Sequence, residues 1–221
     1  MKTIAIIPAR GGSKRLPGKN ILHLGDKPLV AHSILYAKAN SAIVDEVYVT
    51  TDSPEIKEVA LQFGAKVIDR PSALSGDLEP TVSAMKHALE VVGNDVENVI
   101  LLQPTNPLRP QNLVKEAWEI YISEKHDSLM TVTRNHQKFG KIVNQKFVPF
   151  NYEIGQRSQD LEPLYFENGL LYITKAELIL NNIIIGENGF PFEVNHPFAS
   201  VDIDTEDELR LANLLFNDFK L

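Results

Sequence analysis

The chain alternates between short apolar runs and longer segments in which apolar residues recur at helical spacing. Residues 4–7 and 99–102 are continuously apolar, which is typical of strands covered on both faces of a sheet. Pro28, Pro54 and Pro80 stand at the first turn of segments with helical character, where proline is favoured. The pattern predicts strands at 4–7, 46–50, 66–68, 99–102 and 128–133, and helices at about 28–39, 54–63, 80–92 and 111–123.

This alternation of strands and helices, repeated five times with short links, predicts a parallel sheet with helices on both faces. We therefore expect an α/β fold with a doubly wound, mostly parallel, Rossmann-like sheet. The sequence contains no internal repeat, low-complexity tract or linker. A single domain over residues 1–221 is the simplest organisation.

The alternation breaks at about 135–174, where aromatic residues and strand-like pieces replace any clear helix. These pieces lie at 141–148 and 169–173. Alternation resumes with a predicted strand at 199–203 and a helix from Thr205, where Thr205 and Glu208 fit a capping box. We predict that the domain carries an inserted, β-rich arm.

Composition excludes several protein classes. The 221 residues include 22 basic and 29 acidic ones, giving a net charge of −7, and no cysteine, so disulfide scaffolds and thiolate chemistry are excluded. No apolar run approaches the ~20 residues that cross a bilayer, and the first residues lack the architecture of a signal peptide. Net acidity argues against a nucleic-acid partner. We expect a cytoplasmic enzyme or binding protein.

Charge is unevenly distributed along the chain. Residues 1–25 hold five basic residues and no acidic one, and most of these cations surround glycines in the segment 10–20 after the first predicted strand. Because ligands of open α/β sheets collect at the carboxyl ends of strands, we expect an anion site there. The segment is not a P-loop, since Ser13 replaces the first glycine and Asn20 the magnesium-binding hydroxyl, and it lacks G-x-G-x-x-G.

Six motifs follow one another along nearly the whole chain. They are Ile7-Pro8-Ala9-Arg10-Gly11-Gly12-Ser13-Lys14-Arg15-Leu16-Pro17-Gly18-Lys19-Asn20, Thr51-Asp52-Ser53, Arg70-Pro71-x-x-Leu74-x-x-Asp77, Leu102-Gln103-Pro104-Thr105-x-Pro107-Leu108-Arg109, Glu167-Asn168-Gly169 and Asp202-Ile203-Asp204-Thr205. Together they resemble the CMP-sialic acid synthetases, the acylneuraminate cytidylyltransferases, and imply a nucleotidyltransferase type of fold. The related Kdo cytidylyltransferases fit less well, because their opening usually lacks Gly-Gly-Ser-Lys and ends in lysine-proline.

The resemblance implies that CTP and a keto-sugar acid give a CMP-sugar and pyrophosphate. The anomeric hydroxyl of the sugar would attack the α-phosphate in line, so the enzyme must hold both partners and neutralise charge. By resemblance, Arg10 and Lys19 would contact the triphosphate and act in catalysis, while Ser13 and Lys14 would shape the loop. Asn20 would meet the ribose.

Two further residues are assigned to cytosine by the resemblance, Arg70 and Thr81. Thr81 lies where the family often has serine, so a hydroxyl is kept. Beside it, Glu79-Pro80 depart from the small residues that are common in the family.

Asp202 and Asp204 are candidates for a metal site on the residues alone. At the end of the predicted strand their side chains point one way, while Val201 and Ile203 face the other. Mg²⁺ typically takes one or two carboxylates plus substrate phosphates. The alternative, acids that merely precede a helix cap, fits Asp202 poorly because it lies too far upstream. The metal would bridge phosphates and could lower the pKa of the attacking hydroxyl, or Asp204 could take its proton directly.

The sugar acid is expected to meet residues from several segments. Gln103, at the tip of a predicted strand, is a candidate to hydrogen-bond it, and the resemblance implies the same. Phe190 and Phe192 would line the sugar pocket as their family counterparts do, although a loop anchored by aromatic rings is about as compatible with the sequence. Tyr172, near the end of the arm, is a further candidate contact.

The arm is too apolar to stand free in water, and a partner subunit is its natural cover. The resemblance implies a homodimer in which each arm reaches into the other active site. Arg157 would then clamp the carboxylate of the sugar in trans with two hydrogen bonds. The alternative is an arginine that is merely at the surface.

The sequence therefore favours a cytidylyltransferase for a sialate-like nonulosonic acid. Two alternatives stay open: an enzyme for another keto-sugar acid (legionaminate, pseudaminate or Kdo), and a catalytically silent sugar-nucleotide-binding protein. The intact set of Arg10, Lys19, Asp202 and Asp204 argues against the silent protein. The sequence does not identify the acid, since one methylene or hydroxyl in a pocket is worth only ~1–3 kcal/mol.

Overall fold

The structure, a computed structural model, describes residues 1–93 and 95–219. Its strands are β1 (Lys2–Pro8), β2 (His23–Leu24), β3 (Lys27–Pro28), β4 (Glu46–Thr51), β5 (Lys66–Asp69), β6 (Val96–Leu101), β7 (Ser128–Asn135), β8 (Gly140–Val143), β9 (Lys146–Pro149), β10 (Leu164–Lys175) and β11 (Gly189–Glu193). Seven of them form the central sheet, in the order β11-β7-β10-β6-β1-β4-β5. Six of the seven are parallel, and β10 is antiparallel to both of its neighbours. The prediction of a mostly parallel α/β fold is confirmed.

All but one of the helices in the described residues begin close to a predicted position, and the exception, Ala176–Leu180, was not predicted. The helices are α1 (Leu29–Ala39), α2 (Pro54–Gln62), α3 (Thr81–Val92), α4 (Leu113–Ser123), α5 (Ala176–Leu180) and α6 (Glu206–Asp218). The predicted capping box is present, because the Thr205 hydroxyl accepts from the amide of Glu208 and the Glu208 carboxylate accepts from the amide of Thr205. Within the described residues, no helix combines the length and apolarity needed to cross a bilayer.

Strand β1 shows why its sequence is continuously apolar. Ile4 and Ile6 are buried on the face of the sheet covered by α3 and α5. Ala5 and Ile7 are buried on the opposite face, against α1, α2 and α4. Since side chains alternate between the two faces of a strand, a strand covered on both sides must be apolar at every position.

Three features of the strands also differ from the sequence predictions. The predicted strand at 199–203 is wrong, because Pro197–Ser200 forms a 3₁₀ turn and the following residues pair with no strand. The piece predicted at 169–173 belongs to β10 in the central sheet, not to a separate arm. Strand β11 was not predicted, although it pairs with β7 along the edge of the sheet. All three depend on which segments pair with a strand of the sheet. Such pairing joins residues far apart in sequence, so local patterns do not determine it.

The part of the predicted arm that leaves the central sheet is the hairpin of β8 and β9, together with the chain that leads back to β10. Its apolar side chains are unusually exposed: Ile142 is 82% exposed, Phe150 67% and Ile154 82%. Tyr165 and Phe166, at the start of β10, are also exposed. An apolar surface of this extent is typical of a protein interface.

Candidate active site

A polar cleft lies at the carboxyl ends of β1, β5 and β6. It has a volume of about 230 Å³ and opens between the basic loop, the segment before α3 and the chain after β6. Of the residues predicted from the sequence, it brings together Arg10, Ser13, Lys19, Asn20, Arg70, Thr81 and Gln103. The expectation that polar clusters meet at this edge therefore agrees with the structure.

The basic loop turns back on itself so that its two ends meet. Gly18 has a positive φ of 66°, and the following 3₁₀ turn, Lys19–Ile21, buries Lys19 and Asn20. The Asn20 side chain donates to the carbonyl of Arg10 at 2.9 Å. This bond closes the loop and holds Arg10 and Lys19 together at the cleft.

Two carboxylates neutralise much of the charge of this loop. Asp204 accepts from Lys19 Nζ at 2.6 Å and also pairs with Arg15. Asp77 pairs with Arg10 Nη2 at 2.9 Å and with Lys14. Each carboxylate therefore pairs with two of the four cations. Since four positive charges meet two negative ones, the loop keeps an excess of positive charge.

Asp77 was not assigned a role from the sequence, although it stands in one of the motifs. The hydrogen bond from Lys14, with the charges of Lys14 and Arg10, lowers the pKa of Asp77. It therefore stays ionised and ties the segment before α3 to the basic loop.

Arg70 and Thr81 also line the cleft. Arg70 is 8% exposed and donates to the hydroxyl and the carbonyl of Thr50, at the end of β4. Its burial, followed by the nearby charge of Arg10, lowers the pKa of the guanidinium. Thr81 is the first residue of α3, and Glu79 and Pro80 also line the cleft.

Arg109 is a buried residue whose role the sequence did not reveal. It is 5% exposed and donates to the Gln103 carbonyl at 2.8 Å, the Leu170 carbonyl at 2.7 Å and the Ser33 hydroxyl at 3.0 Å. Burial lowers its pKa to about 10, which still leaves it charged at neutral pH. The sequence signal that could have indicated its burial is a charged residue directly after Pro107 and Leu108, shortly before a helix. Its three bonds fix the backbone that presents Gln103.

Asp202 and Asp204 lie on the same side of their segment although it is not a strand. Val201 and Ile203 are buried at 4% and 0%, while Asp202 is exposed and Asp204 half-buried. The aspartates contact two residues of the cleft lining, Asp202 with Thr105 and Asp204 with Lys19. Partial removal from water and then the charge of Asp204 raise the pKa of Asp202, against a hydrogen bond from Thr105 that lowers it. Two carboxylates that repel each other at a ligand edge are a donor set that suits Mg²⁺ shared with substrate phosphates. Within the described chain, no three acidic or histidine side chains gather to hold a metal by themselves.

Tyr172 lies beside the carboxylate pair, on β10. Its hydroxyl donates to Glu167, and Gln103 and Asp202 are close enough to influence it. Burial, followed by the contact with Glu167, raises the pKa of Tyr172, so its hydroxyl stays protonated. The structure thus joins Tyr172 and Gln103, two of the predicted sugar contacts.

Three other predicted contacts lie outside the cleft of this chain. Phe190, on β11, stacks against His126 with 4.8 Å between ring centroids. Phe192, on the same strand, lies beside Trp118 of α4. Both rings are therefore part of the packing at the sheet edge. Arg157 is exposed and pairs with Asp160, Nε to Oδ2 at 2.7 Å.

Comparison with known proteins identifies the family. A family model described as cytidylyltransferase matches residues 4–215. The chain belongs to the cytidylyltransferase family. The resemblance seen in the sequence motifs is confirmed, and so is the prediction of a nucleotidyltransferase.

Three relatives in this family differ in the sugar acid that they are named for. The pseudaminic acid cytidylyltransferase of Campylobacter jejuni is 35% identical, over 98% of this chain and 97% of its own length. The CMP-N,N'-diacetyllegionaminic acid synthase of Legionella pneumophila is 35% identical, over 97% and 96%. The N-acylneuraminate cytidylyltransferase of Streptococcus agalactiae is 34% identical over the whole of this chain, which spans 55% of that relative.

The fold has a solved counterpart in CMP:2-keto-3-deoxy-manno-octonic acid synthetase complexed with CTP. The two superpose with a TM-score of 0.77, over 99% of this chain and 100% of the other, at 20% identity. At this identity the likeness shows the fold, which is that of a nucleotidyltransferase.

Proposed function

We propose that this cytidylyltransferase transfers CMP from CTP to the anomeric hydroxyl of a sialate-like nonulosonic acid and releases pyrophosphate. The observation that carries the proposal is the meeting of a basic loop and a carboxylate pair, Lys19 Nζ lying 2.6 Å from Asp204. Polyphosphate and a divalent cation need these two kinds of group side by side. The names of the three relatives support the class of sugar acid. Use of CTP and the lack of cysteine fit a cytoplasmic enzyme.

The triphosphate would replace the carboxylates that now neutralise the loop. Arg10 and Lys19 line the cleft, and Lys19 is only 9% exposed. A buried ammonium is screened little by water, so it would stabilise charge on the phosphates more strongly than an exposed lysine. Ser13 and Lys14 would complete the loop around the phosphates.

The nucleoside would lie between the loop and the start of α3. Asn20 would contact the ribose, and Arg70 with Thr81 would contact cytosine, all three being on the cleft wall. The bonds from Arg70 to Thr50 hold the guanidinium in one orientation. A fixed donor array of this kind favours one hydrogen-bonding edge of a base over others.

Mg²⁺ would be held by Asp202 and Asp204, with phosphate oxygens completing its shell. When bound it would neutralise charge on the phosphates and favour ionisation of the attacking hydroxyl. The two carboxylates would hold the cation beside the cleft, and Asp204 could alternatively accept the hydroxyl proton directly. Gln103 and Tyr172 would orient the sugar acid beside this pair.

We further propose a homodimer formed through the arm. The exposed apolar side chains of β8, β9 and the start of β10 support this proposal, because a second arm would remove them from water. Arg157 would then approach the active site of the partner subunit and bind the carboxylate of the sugar.

The function is tested by a pyrophosphate-release assay with CTP and a panel of acids: N-acetylneuraminate, legionaminate, pseudaminate and Kdo. We expect turnover with one of the first three acids and little with Kdo. If only Kdo is turned over, the proposal of a sialate-like substrate is wrong and the enzyme is a Kdo cytidylyltransferase. CTP binding without turnover of any acid would favour the silent sugar-nucleotide-binding protein.

The arm is tested by Arg157→Ala, which we expect to raise the KM for the sugar acid about tenfold through loss of a charge-assisted contact. The KM for CTP should change little, because the proposed phosphate contacts are on another segment. Arg210→Ala is the matched control, since Arg210 is equally exposed and also pairs with acids near it in sequence. An unchanged KM would remove Arg157 from the site.

Mixing two variants tests whether the site is shared between subunits. After subunit exchange, Arg157→Ala and Lys19→Ala chains should form heterodimers in which one site has an intact loop and an intact arm. Recovered activity supports contribution in trans. A monomer by light scattering at the assay concentration, or no recovery after confirmed exchange, would contradict the shared site.

A further inference from the structure

The segment that carries Asp202 keeps a strand-like orientation without belonging to the sheet. Two hydrogen bonds take the place of a strand neighbour. Asn106 Nδ2 donates to the Val201 carbonyl at 2.8 Å, and the Ile203 amide donates to the Thr105 carbonyl at 2.8 Å. These bonds fix the backbone of the residues directly before and after Asp202.

Asn106 is itself held in one orientation. It is 3% exposed, and its amide nitrogen also donates to the Asn168 carbonyl at 3.2 Å. Its Oδ1 accepts from the Thr105 hydroxyl at 3.1 Å. Rotation of the amide would leave buried donors and carbonyls without partners, which is costly.

Gly169 provides the space that Asn106 occupies. A Cβ atom added at Gly169 would lie 2.7 Å from Asn106 Oδ1, and the φ of +73° at this glycine also disfavours a side chain. The backbone of β10 therefore lies against the Asn106 amide and limits its movement.

Thr105 connects the amide with the carboxylate. Its hydroxyl has one proton and two neighbouring acceptors, Asn106 Oδ1 and the Asp202 carboxylate. If Asp202 held a cation, the Thr105 hydroxyl could keep its bond to Asn106 Oδ1, so this contact would not be lost on binding.

We propose that Asn106 is a positioning residue for the carboxylate pair, one that holds the Asp202 side chain at the cleft through the backbone on either side of it. This inference rests on the proposed role of Asp202 and Asp204 in holding Mg²⁺. Groups that orient metal ligands typically contribute 10- to 100-fold to metal affinity or activity. A residue that served only the stability of the fold would not affect the metal requirement.

The test compares Asn106→Ala with Asn98→Ala. Asn98 is a matched control because it is equally buried and accepts from the Tyr121 hydroxyl at 2.8 Å, at the opposite end of β6. Both variants should lower the melting temperature. Only Asn106→Ala should raise the Mg²⁺ concentration for half-maximal activity, by about tenfold.

Two readouts without turnover accompany this assay. Mn²⁺ binding to the protein with CTP and without the sugar acid, followed by electron paramagnetic resonance, should weaken by a similar factor in Asn106→Ala. Hydrogen exchange at the Ile203 amide should accelerate in this variant and stay unchanged in Asn98→Ala. If Asn106→Ala does not fold, Asn106→Ser, which retains one hydroxyl donor in a smaller side chain, should give the same changes at reduced size.

The outcomes separate this inference from the function on which it rests. A shifted metal requirement with weaker Mn²⁺ binding supports the positioning role. Loss of stability with an unchanged metal requirement and unchanged exchange at Ile203 overturns it. If chelation leaves the wild type fully active, the proposed metal role fails first, and the inference fails with it.

Discussion

Asp204→Asn is expected to lower kcat by about 10³-fold, the largest effect of any single substitution considered for this chain. The change removes a proposed Mg²⁺ ligand and a candidate acceptor for the hydroxyl proton, and each role is worth about 10²-fold or more. It also removes the charge that balances Lys19 and Arg15. Asp202→Asn should have the same direction and a smaller effect, because Asp202 is proposed only as a metal ligand.

Asp207→Asn is the control for this substitution. Asp207 is three residues away, 91% exposed in its side chain, and pairs with Arg210 at 3.5 Å. It should leave kcat unchanged. The measurement is kcat at saturating CTP and sugar acid as a function of Mg²⁺, with melting temperatures for all variants. Chelation of the wild type should abolish turnover reversibly, and full activity in excess chelator would exclude the metal from the mechanism.

Lys19→Ala is expected to lower kcat about 10²-fold, because Lys19 is proposed to stabilise, as a buried ammonium, the charge that develops on the phosphates during transfer. Folding should be retained, since Asp204 keeps Arg15 as a partner and the loop keeps the bond from Asn20 to Arg10. The KM for CTP should rise less than kcat falls. The measurement is kcat from pyrophosphate release at saturating CTP and sugar acid.

Lys27→Ala is the matched control for Lys19→Ala. Lys27 lies shortly after the loop and pairs with Asp26 at 2.6 Å, outside the cleft lining. Loss of one positive charge near the loop should therefore leave turnover unchanged. A folded Lys19→Ala variant with a rate near that of the wild type would contradict the assignment of this lysine to the phosphates.

The sequence predicted the parts of the fold that depend on local pattern. Continuous apolar runs identified the strands covered on both faces, and proline starts placed α1 to α3 within one or two residues. The same local pattern misplaced one strand. The alternation of Val201, Asp202 and Ile203 is real, but the partner that gives it hydrogen bonds is the loop at Thr105 and Asn106, not a strand.

Part of the candidate cleft could be predicted from the sequence, because the motifs after β1, β5 and β6 follow parallel strands that end at one edge. The motifs at Glu167–Gly169 and Asp202–Thr205 follow no parallel strand, so their place beside the cleft depends on the tertiary structure. What the sequence alone determined is therefore the alternation of elements and the charged and polar groups of the basic loop. The tertiary structure decided the partners: Asp204 for Lys19, Asp77 for Arg10, Arg109 for Gln103, and Asn106 for the segment of Asp202. Most of these contacts join residues far apart in sequence, and their geometry depends on how the sheet orders and packs its strands. Local periodicity carries no information on that order, since it is fixed only when the whole core assembles.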